Sequence, residues 1–155
     1  MKSIWFYDYP VGTIGITEEN NAISRVFFTQ KKKSDSYETA ETSLIQKAAI
    51  QLREYFDGKR KNFDLPLFLQ GTDFQETVWR ALQTVAFGDT CSYKKIATLI
   101  GNPQAARAVG MANNRNPIVI IVPCHRVIGI SGKLIGYAGG INIKQYLLNL
   151  EKTYA

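Results

Sequence analysis

The stretch NPIVIIVPCHRV, residues 116–127, places a buried element directly before a reactive pair of side chains. Residues 118–122 are all isoleucine or valine, which predicts a β-strand that is buried on both faces and ended by Pro123. Cys124 would emerge at the end of this strand beside His125, the only histidine of the chain. Because a neighbouring imidazole can lower the pKa of a thiol, the pair is a candidate nucleophile and base, although a buried thiol beside a structural histidine is the more common case.

Charge is distributed unevenly along the 155 residues, which carry a net charge of +6. Residues 1–89 hold 11 basic and 12 acidic side chains, whereas residues 90–155 hold 8 basic side chains and a single acid, Glu151. No carboxylate side chain occurs between Asp89 and Glu151. A stretch of this kind favours a surface that faces a polyanion such as nucleic acid, and general solubility is the alternative reading.

The composition argues against several classes of protein. No apolar run is long enough to span a membrane, and residues 1–12 lack the apolar core of a signal peptide, so we expect a cytoplasmic protein, nucleoid-associated if it is prokaryotic. Two cysteines, Cys91 and Cys124, are too few for a disulfide scaffold, and we favour two free thiols over a disulfide between them. The cysteine and histidine spacing also fits no zinc site, so we expect no metal.

The first half of the chain predicts a small sheet followed by a helix. Three β-prone runs separated by turns predict an antiparallel sheet: Ser3–Tyr9, Gly12–Thr17 and Ile23–Thr29. Apolar residues at three-to-four spacing predict a helix over 39–57, which Gly58 would end. The change in charge and a connecting loop divide the chain into domains at 1–64 and 65–155.

A helix-turn-helix is predicted in the basic half, with helices at 93–100 and 103–113 joined by a Gly-Asn turn. Ser92 suits the N-cap of the first helix. Asn102 suits the N-cap of the second helix, which Pro103 would begin.

The second of these helices is unusual for a reader of the major groove, because Arg107 is its one long cation. Its other side chains are mostly small: Ala105, Ala106, Ala108 and Gly110. Small residues allow a helix to approach the minor groove closely, where a lone arginine can replace an extruded base. Two helices packed at a tight crossing are the alternative, but the acid-free stretch favours contact with DNA.

Two more helices are predicted, one from Thr72 or Asp73 to Val85 and one at about Asn142–Glu151. Glu151 is the only carboxylate side chain downstream of His125. If the last helix packs on the thiol site, a Cys–His–Glu relay results. The glycine-rich segment Gly132–Gly140 lacks the Gly-Lys-Ser or Gly-Lys-Thr sequence and the spacing of a phosphate-binding loop, and it suits a flexible wall beside a flat ligand.

Six ordered motifs resemble those of the O6-alkylguanine-DNA alkyltransferase (methylated-DNA–protein-cysteine methyltransferase) family. They are FQ..VW at 74–79, SY..IA at 92–97, ARAVG at 106–110, NP at 116–117, PCHRV at 123–127 and GYAGG at 136–140. The resemblance is close over residues 65–151 and looser over residues 1–64. It implies an α/β (α+β) fold with a ribonuclease-H-like N-terminal lobe, followed by a mainly helical domain that carries a winged-helix-like helix-turn-helix and the active-site loop.

The resemblance also implies roles for individual residues at the thiol site. Cys124 would accept the alkyl group, and His125 would take the thiol proton through a bound water. Glu151 would orient His125, and Tyr93 would hydrogen-bond N3 of the guanine.

For the DNA and the base, the resemblance implies a second group of residues. Arg107 would fill the gap left by the flipped nucleotide, in a surface that we extend to Ser92, Ala106, Ala108, Gly110 and Asn113. Asn116 would brace the turn before the site. The Cys124 and Val127 carbonyls would accept from the guanine amine, and the Tyr137–Ala138 backbone would approach O6.

The implied reaction is a stoichiometric, irreversible transfer from O6-alkylguanine in double-stranded DNA, and O4-alkylthymine is left open as a substrate. We expect a monomer that needs no cofactor. Two other functions remain open: a lesion-binding protein without transfer activity, in which Cys124 stays unmodified, and a cysteine hydrolase that turns over on a small ester or peptide.

Overall fold

The computed structural model describes residues 2–129, 132, 134, 136–137 and 139–155. The chain divides into two compact units, Met1–Leu69 and Gln70–Ala155. Helices and a small sheet make up the structure, which confirms the predicted mixed α/β class. None of the helices in the described part has the length and apolar character that crossing a membrane requires.

The first unit contains a four-stranded sheet in the order β3-β2-β1-β4. Its strands are β1 Ser3–Tyr9, β2 Gly12–Glu19, β3 Ala22–Thr29 and β4 Glu38–Thr39. The antiparallel pairing of β1, β2 and β3 confirms the predicted sheet. Strand β4, which pairs in parallel with β1, was not predicted, because two exposed residues carry no periodic pattern.

Helix α1, Ser43–Phe56, packs its apolar face against this sheet. The predicted start at residue 39 is wrong, because Thr39 belongs to β4 and pairs with Ile4. The helix begins after Thr42, whose side chain accepts from the backbone N–H of Ile45 at 3.1 Å and so caps the first turn.

The second unit is mainly helical. Its elements are α2 Asp73–Leu82, β5 Cys91–Ser92, α3 Tyr93–Leu99, α4 Ala106–Asn114, a 3₁₀ helix at Cys124–Arg126, β6 Val127–Ile128 and α5 Ile141–Tyr154. Strands β5 and β6 form a short parallel pair. Helices α2, α3 and α4 contact one another, and α5 contacts the 3₁₀ helix. The last turn of α5 therefore reaches the segment that follows Pro123.

Side-chain caps mark the start of α2 and of α3. Thr72 and Gln75 form a capping box at the start of α2, and Ser92 caps α3, as predicted. The predicted start of α4 at Pro103 is wrong by three residues. Asn102 instead accepts a hydrogen bond at its carbonyl oxygen from the N–H of Ala105 at 3.0 Å, so the residues between them form a turn before the helix.

The core of the first unit can be tested on α1, where two neighbouring apolar residues differ in burial. Leu52 is 0% exposed and Ile50 is 61% exposed. We expect Leu52→Ala to lower the free energy of unfolding by roughly 2–5 kcal/mol, because it leaves a cavity. Ile50→Ala is the control and should change it by no more than about 0.5 kcal/mol. Urea unfolding followed by circular dichroism measures both, and equal losses would contradict the assignment of the buried face.

Candidate active site and nucleic-acid surface

The segment before Cys124 is buried, as predicted, but it is not a strand. Residues 118–122 are 0–9% exposed, yet the N–H of Val122 bonds the carbonyl of Ile118 at 3.0 Å and closes a turn. Asn116 ties both ends together: its Oδ1 accepts from the N–H of Ile118 at 3.0 Å, and its Nδ2 donates to the carbonyl of Val122 at 2.7 Å. The asparagine side chain satisfies backbone groups that a strand would pair with a neighbour, so the apolar run folds back on itself.

Cys124 consequently begins a 3₁₀ helix and does not lie at a strand end. It is 2% exposed, and its carbonyl oxygen accepts from Nδ2 of Asn113 at 3.3 Å. Asn113, which we had grouped with the DNA surface, is itself only 2% exposed, because it lies on the inner face of α4 with Val109 and Ala112. Its side chain supports the Cys124–Arg126 segment from within.

The Cys124 thiol is protonated at rest. Burial raises the pKa of Cys124 to about 11, and a hydrogen bond with the Asn116 side chain and the charge of Lys144 offset only part of that rise. His125 is not among the groups that shift the pKa of Cys124 in the resting protein. A thiol of this kind must lose its proton as it reacts, so the groups that can receive the proton matter.

His125, Glu151 and Arg126 form a buried ionic network. Nε2 of His125 lies 2.6 Å from Oε2 of Glu151, and the two side chains are 0% and 1% exposed. Arg126 donates to both oxygens of the same carboxylate, from Nε at 2.8 Å and from Nη2 at 3.0 Å. Its Nη1 donates to the carbonyl of Val85 at 2.7 Å, beyond the end of α2. The predicted packing of the last helix on the thiol segment thus brings His125 and Glu151 together.

This network fixes the proton positions on His125. Burial opposes the charge on Glu151, but hydrogen bonds and charge from His125 and Arg126 outweigh it and lower the pKa of this carboxyl to about 2. Burial lowers the pKa of His125, and Glu151 offsets only part of that effect. A carboxylate can only accept, so Nε2 carries the hydrogen and Nδ1 keeps a free lone pair. Nδ1 is buried without a hydrogen-bond partner among the described residues.

Two buried cations, Arg126 and Lys144, were missed as site residues by the sequence analysis. Lys144 is 0% exposed, and its Nζ donates to the carbonyl of Val127 at 2.7 Å. Burial lowers the pKa of Lys144, and the interaction with Cys124 opposes this shift. A signal was available, because Lys144, Leu147 and Glu151 share one face of α5 at three-to-four spacing.

One tyrosine, Tyr93, lies near the thiol, and another, Tyr137, lies beside the imidazole. Tyr93, half-buried at the first position of α3, has its pKa raised by burial and by the charge of Cys124. A Cβ at Gly110 would lie 3.8 Å from the Tyr93 ring, so α3 and α4 meet closely there. The ring of Tyr137 meets that of His125 edge-on, with centroids 6.5 Å apart. Ala138, predicted beside Tyr137, lies outside the described residues.

The outward side of α3 and α4 is basic and bears short side chains. Arg107 and Ala108 are exposed, whereas Ala106 and Gly110 are half-buried. The exposed basic residues here are Lys94, Lys95, Arg107 and Arg115. Ser92 caps α3 through its Oγ, which accepts from the N–H of Lys95 at 3.0 Å. This side of the two helices therefore combines positive charge with short side chains, which suits close contact with a polyanion.

Both cysteines are free, as favoured from the sequence. In the residues that the structure covers, no three histidine, cysteine, aspartate or glutamate side chains are grouped as a metal ion would need. The reactive groups described at this site are the Cys124 thiol, the imidazole of His125 and the buried ions around them.

Two family models match the chain, one for each unit. The "6-O-methylguanine DNA methyltransferase, ribonuclease-like domain" matches residues 5–69. The "6-O-methylguanine DNA methyltransferase, DNA binding domain" matches residues 73–153, which include Cys124, His125 and Glu151.

Individual relatives match over nearly the whole chain. The methylated-DNA–protein-cysteine methyltransferase of Methanosarcina acetivorans is 48% identical over 149 residues, which cover 94% of this chain and 95% of the relative. The constitutive methyltransferase of that name from Bacillus subtilis is 47% identical over 150 residues, with coverage of 92% and 91%. The crystal structure of Mycobacterium tuberculosis OGT in complex with DNA superimposes with a TM-score of 0.92 at 46% identity and covers 99% of this chain and 94% of that one.

The ionic network predicts how stability depends on pH. The pKa of Glu151 is lowered from 4.5 to about 2, so its contribution is full above pH 4.5 and is lost as the pH falls towards 2. His125, whose pKa is also lowered, begins to cost stability below about pH 6.5. We expect Glu151→Gln to lower the free energy of unfolding at pH 7 by roughly 3–5 kcal/mol, because it leaves Arg126 buried without its partner.

The acid dependence separates this effect from general damage. Urea unfolding at several pH values should show that Glu151→Gln loses less stability than the parent protein between pH 4.5 and pH 2. Glu76→Gln is the control, since Glu76 forms a more exposed pair with Arg80 at 3.2 Å and should cost less than about 1 kcal/mol. Parallel pH profiles for Glu151→Gln and the parent protein would contradict the charged network.

Proposed function

Because the chain belongs to the 6-O-methylguanine DNA methyltransferase family, we propose that it repairs DNA by transferring the alkyl group of O6-alkylguanine to Cys124. The observation that carries this proposal is a buried thiol next to the His125–Glu151–Arg126 network. The thiol lies in the unit whose sequence matches the DNA-binding domain of the family. The relatives are named for the same transfer, from methylated DNA to a cysteine of the protein.

His125 receives the thiol proton at Nδ1 through a bridging water. Its Nε2 hydrogen is committed to Glu151, so Nδ1 is the only ring atom with a lone pair to offer. Burial favours a neutral imidazole before the reaction, and the Glu151 carboxylate stabilises the cation that forms during it. Lys144 adds a positive charge that stabilises the developing thiolate.

The transfer balances without a cofactor. The sulfur of Cys124 forms a bond to the alkyl carbon while the bond from that carbon to O6 breaks. The electron pair of the broken bond stays on the guanine, which takes up one proton in place of the proton lost by the thiol. The product is a thioether, which water does not readily cleave, so each molecule acts once.

Tyr93 and nearby carbonyl groups hold the base. The pKa of Tyr93 is raised by burial and by the charge of Cys124, so its hydroxyl stays protonated and can donate to N3 of the guanine. The carbonyls of Cys124 and Val127 already accept from Asn113 and Lys144. A carbonyl oxygen has two lone pairs, so each can also accept from the guanine amine. Tyr137 forms a wall of the pocket beside His125.

DNA binds along the outward side of α4, with Arg107 as the residue that fills the place of the flipped nucleotide. Arg107 is exposed, and the neighbouring Ala106, Ala108 and Gly110 have no long side chain that would hold the minor groove away. Cys124 is buried, so the base must leave the duplex to reach it. One chain carries both the acceptor and this surface, so the protein acts as a monomer, and its DNA substrate places it in the cytoplasm.

Intact-protein mass spectrometry tests the transfer directly. After incubation with a duplex carrying one O6-methylguanine, we expect each protein molecule to replace one hydrogen by one methyl group and never to gain a second. Cys124→Ala should gain nothing, because it lacks the acceptor sulfur. Cys91→Ala is the matched control, since Cys91 is the other free thiol, and it should react like the parent protein.

Other outcomes of that experiment point to other functions. Tight binding of the lesion with no change in mass would identify a lesion-binding protein without transfer activity. Methylation that persists in Cys124→Ala but disappears in Cys91→Ala would move the acceptor to Cys91.

Arg107 can be tested apart from the acceptor chemistry. We expect Arg107→Ala to slow transfer from the duplex about tenfold, on the order of 1.4 kcal/mol, because the flipped state loses the side chain that replaces the base. Arg107→Lys keeps the positive charge. Compared with Arg107→Ala, its salt dependence of binding should be closer to that of the parent protein, whereas its rate of transfer should recover less. Reaction with free O6-methylguanosine needs no flipping and should be unchanged in both variants. An Arg107→Ala variant that reacts with the duplex at the parent rate would contradict this role.

A further inference from the structure

Met111 is the one long apolar side chain on the outward side of α4. It is 62% exposed, more than any other large hydrophobic side chain in the described part of the chain. The inner face of the same helix is formed by Val109, Ala112 and Asn113, so Met111 contributes nothing to the core. A single exposed methionine is common on protein surfaces and indicates no function by itself. The position of Met111 relative to nearby charged side chains is the informative feature.

Met111 lies between two arginines on one stripe of the helix. Arg107 precedes it by four residues and Arg115, at the C-cap, follows it by four, which is the spacing that places side chains one above another on a helix. Both arginines are exposed. At 1.5 Å of rise per residue, their Cα atoms are about 12 Å apart along the axis. We call Arg107, Met111 and Arg115 the outer stripe.

The side chains of the outer stripe are chemically complementary to a DNA minor groove. The groove is about 6 Å wide and has a row of phosphates on each side of a floor of sugars and base edges. Arg115 suits one of these phosphate rows, and the apolar Met111, one turn from Arg107, suits the floor. No acidic side chain lies between Asp89 and Glu151, so nothing in this part of the sequence repels the phosphates. A protein partner would call for a broader apolar patch than one methionine provides.

We propose that Met111 is an apolar wedge that enters the minor groove one helical turn from Arg107 and unstacks the base step beside the flipped nucleotide. The inference rests on the proposed function, because it needs α4 to lie in that groove. Methionine suits the task, since its unbranched thioether chain adapts to irregular gaps and belongs to the side chains that open base steps. The wedge offsets part of the unstacking cost, and Arg107 occupies the space that the base leaves.

The test compares Met111→Ala, which shortens the side chain, with Met111→Gln, which keeps its length and makes its end polar. Both should weaken binding to a duplex carrying O6-methylguanine by about tenfold, in line with loss of one buried methionine side chain. Both should also lower the fluorescence gain of an unstacking-sensitive adenine analogue placed beside the lesion. Ile50→Ala is the matched control, because Ile50 is 61% exposed and lies in the first unit.

Salt dependence separates a wedge from a phosphate contact. The slope of log affinity against log salt should be unchanged in both Met111 variants, whereas Arg115→Ala should reduce it by about one. Parent-like affinity and fluorescence in both Met111 variants would overturn the proposal, and so would a reduced salt slope, which would mean that Met111 acts only by placing the arginines. Slower reaction with free O6-methylguanosine would overturn it as well, since that substrate has no step to unstack.

Failure of the wedge and failure of the proposed function remain distinguishable in this design. If the parent protein methylates Cys124 and the Met111 variants match it on the duplex, only the wedge is wrong. If the parent protein is not methylated at Cys124, the proposed function is wrong.

Discussion

The Glu151 carboxylate, buried between His125 and Arg126, is the interaction on which the rest of the second unit depends. A charge at this depth is stable only with partners, and both of its oxygens are bonded by side chains from the 3₁₀ helix at Cys124–Arg126. The same contacts join α5 to this 3₁₀ helix, and Arg126 extends them to the carbonyl of Val85. One carboxylate thus positions the last helix, orients the imidazole and fixes which ring nitrogen can act as a base.

Near this network, three buried polar side chains hold the backbone around Cys124 through hydrogen bonds to its carbonyl groups. Asn113 and Asn116 hold the backbone on either side of Cys124 through carbonyl groups of Cys124 and Val122. Lys144, on α5, donates to the carbonyl of Val127. The segment around Cys124 is therefore fixed by side chains from α4, the following turn and α5, and groups held in this way are preorganised.

Some of this could be read from the sequence, and the reasons differ by element. The strands β1 to β3 and the caps at Thr72 and Ser92 follow from local patterns, which act over a few residues. The run 118–122 misled, because five β-branched residues fit a strand and a buried turn equally well and the decision belongs to Asn116. The buried partner of each cation, Glu151 for Arg126 and Cys124 for Lys144, depends on how α5 packs and leaves only a weak trace in residue spacing.

The protonated, buried state of the Cys124 thiol affects how long an unused molecule stays able to react. Oxidation to sulfenic acid and beyond follows thiolate character and exposure, and Cys124 has little of either, with a pKa of about 11 and 2% exposure. A protein that acts once cannot recover a molecule spent on an oxidant. Burial makes the Cys124 sulfur a poor nucleophile in the resting protein, and the same burial protects it from oxidation. The number of active molecules in a cell is therefore set by protein synthesis and by reaction with damaged DNA, and few are lost to cellular oxidants.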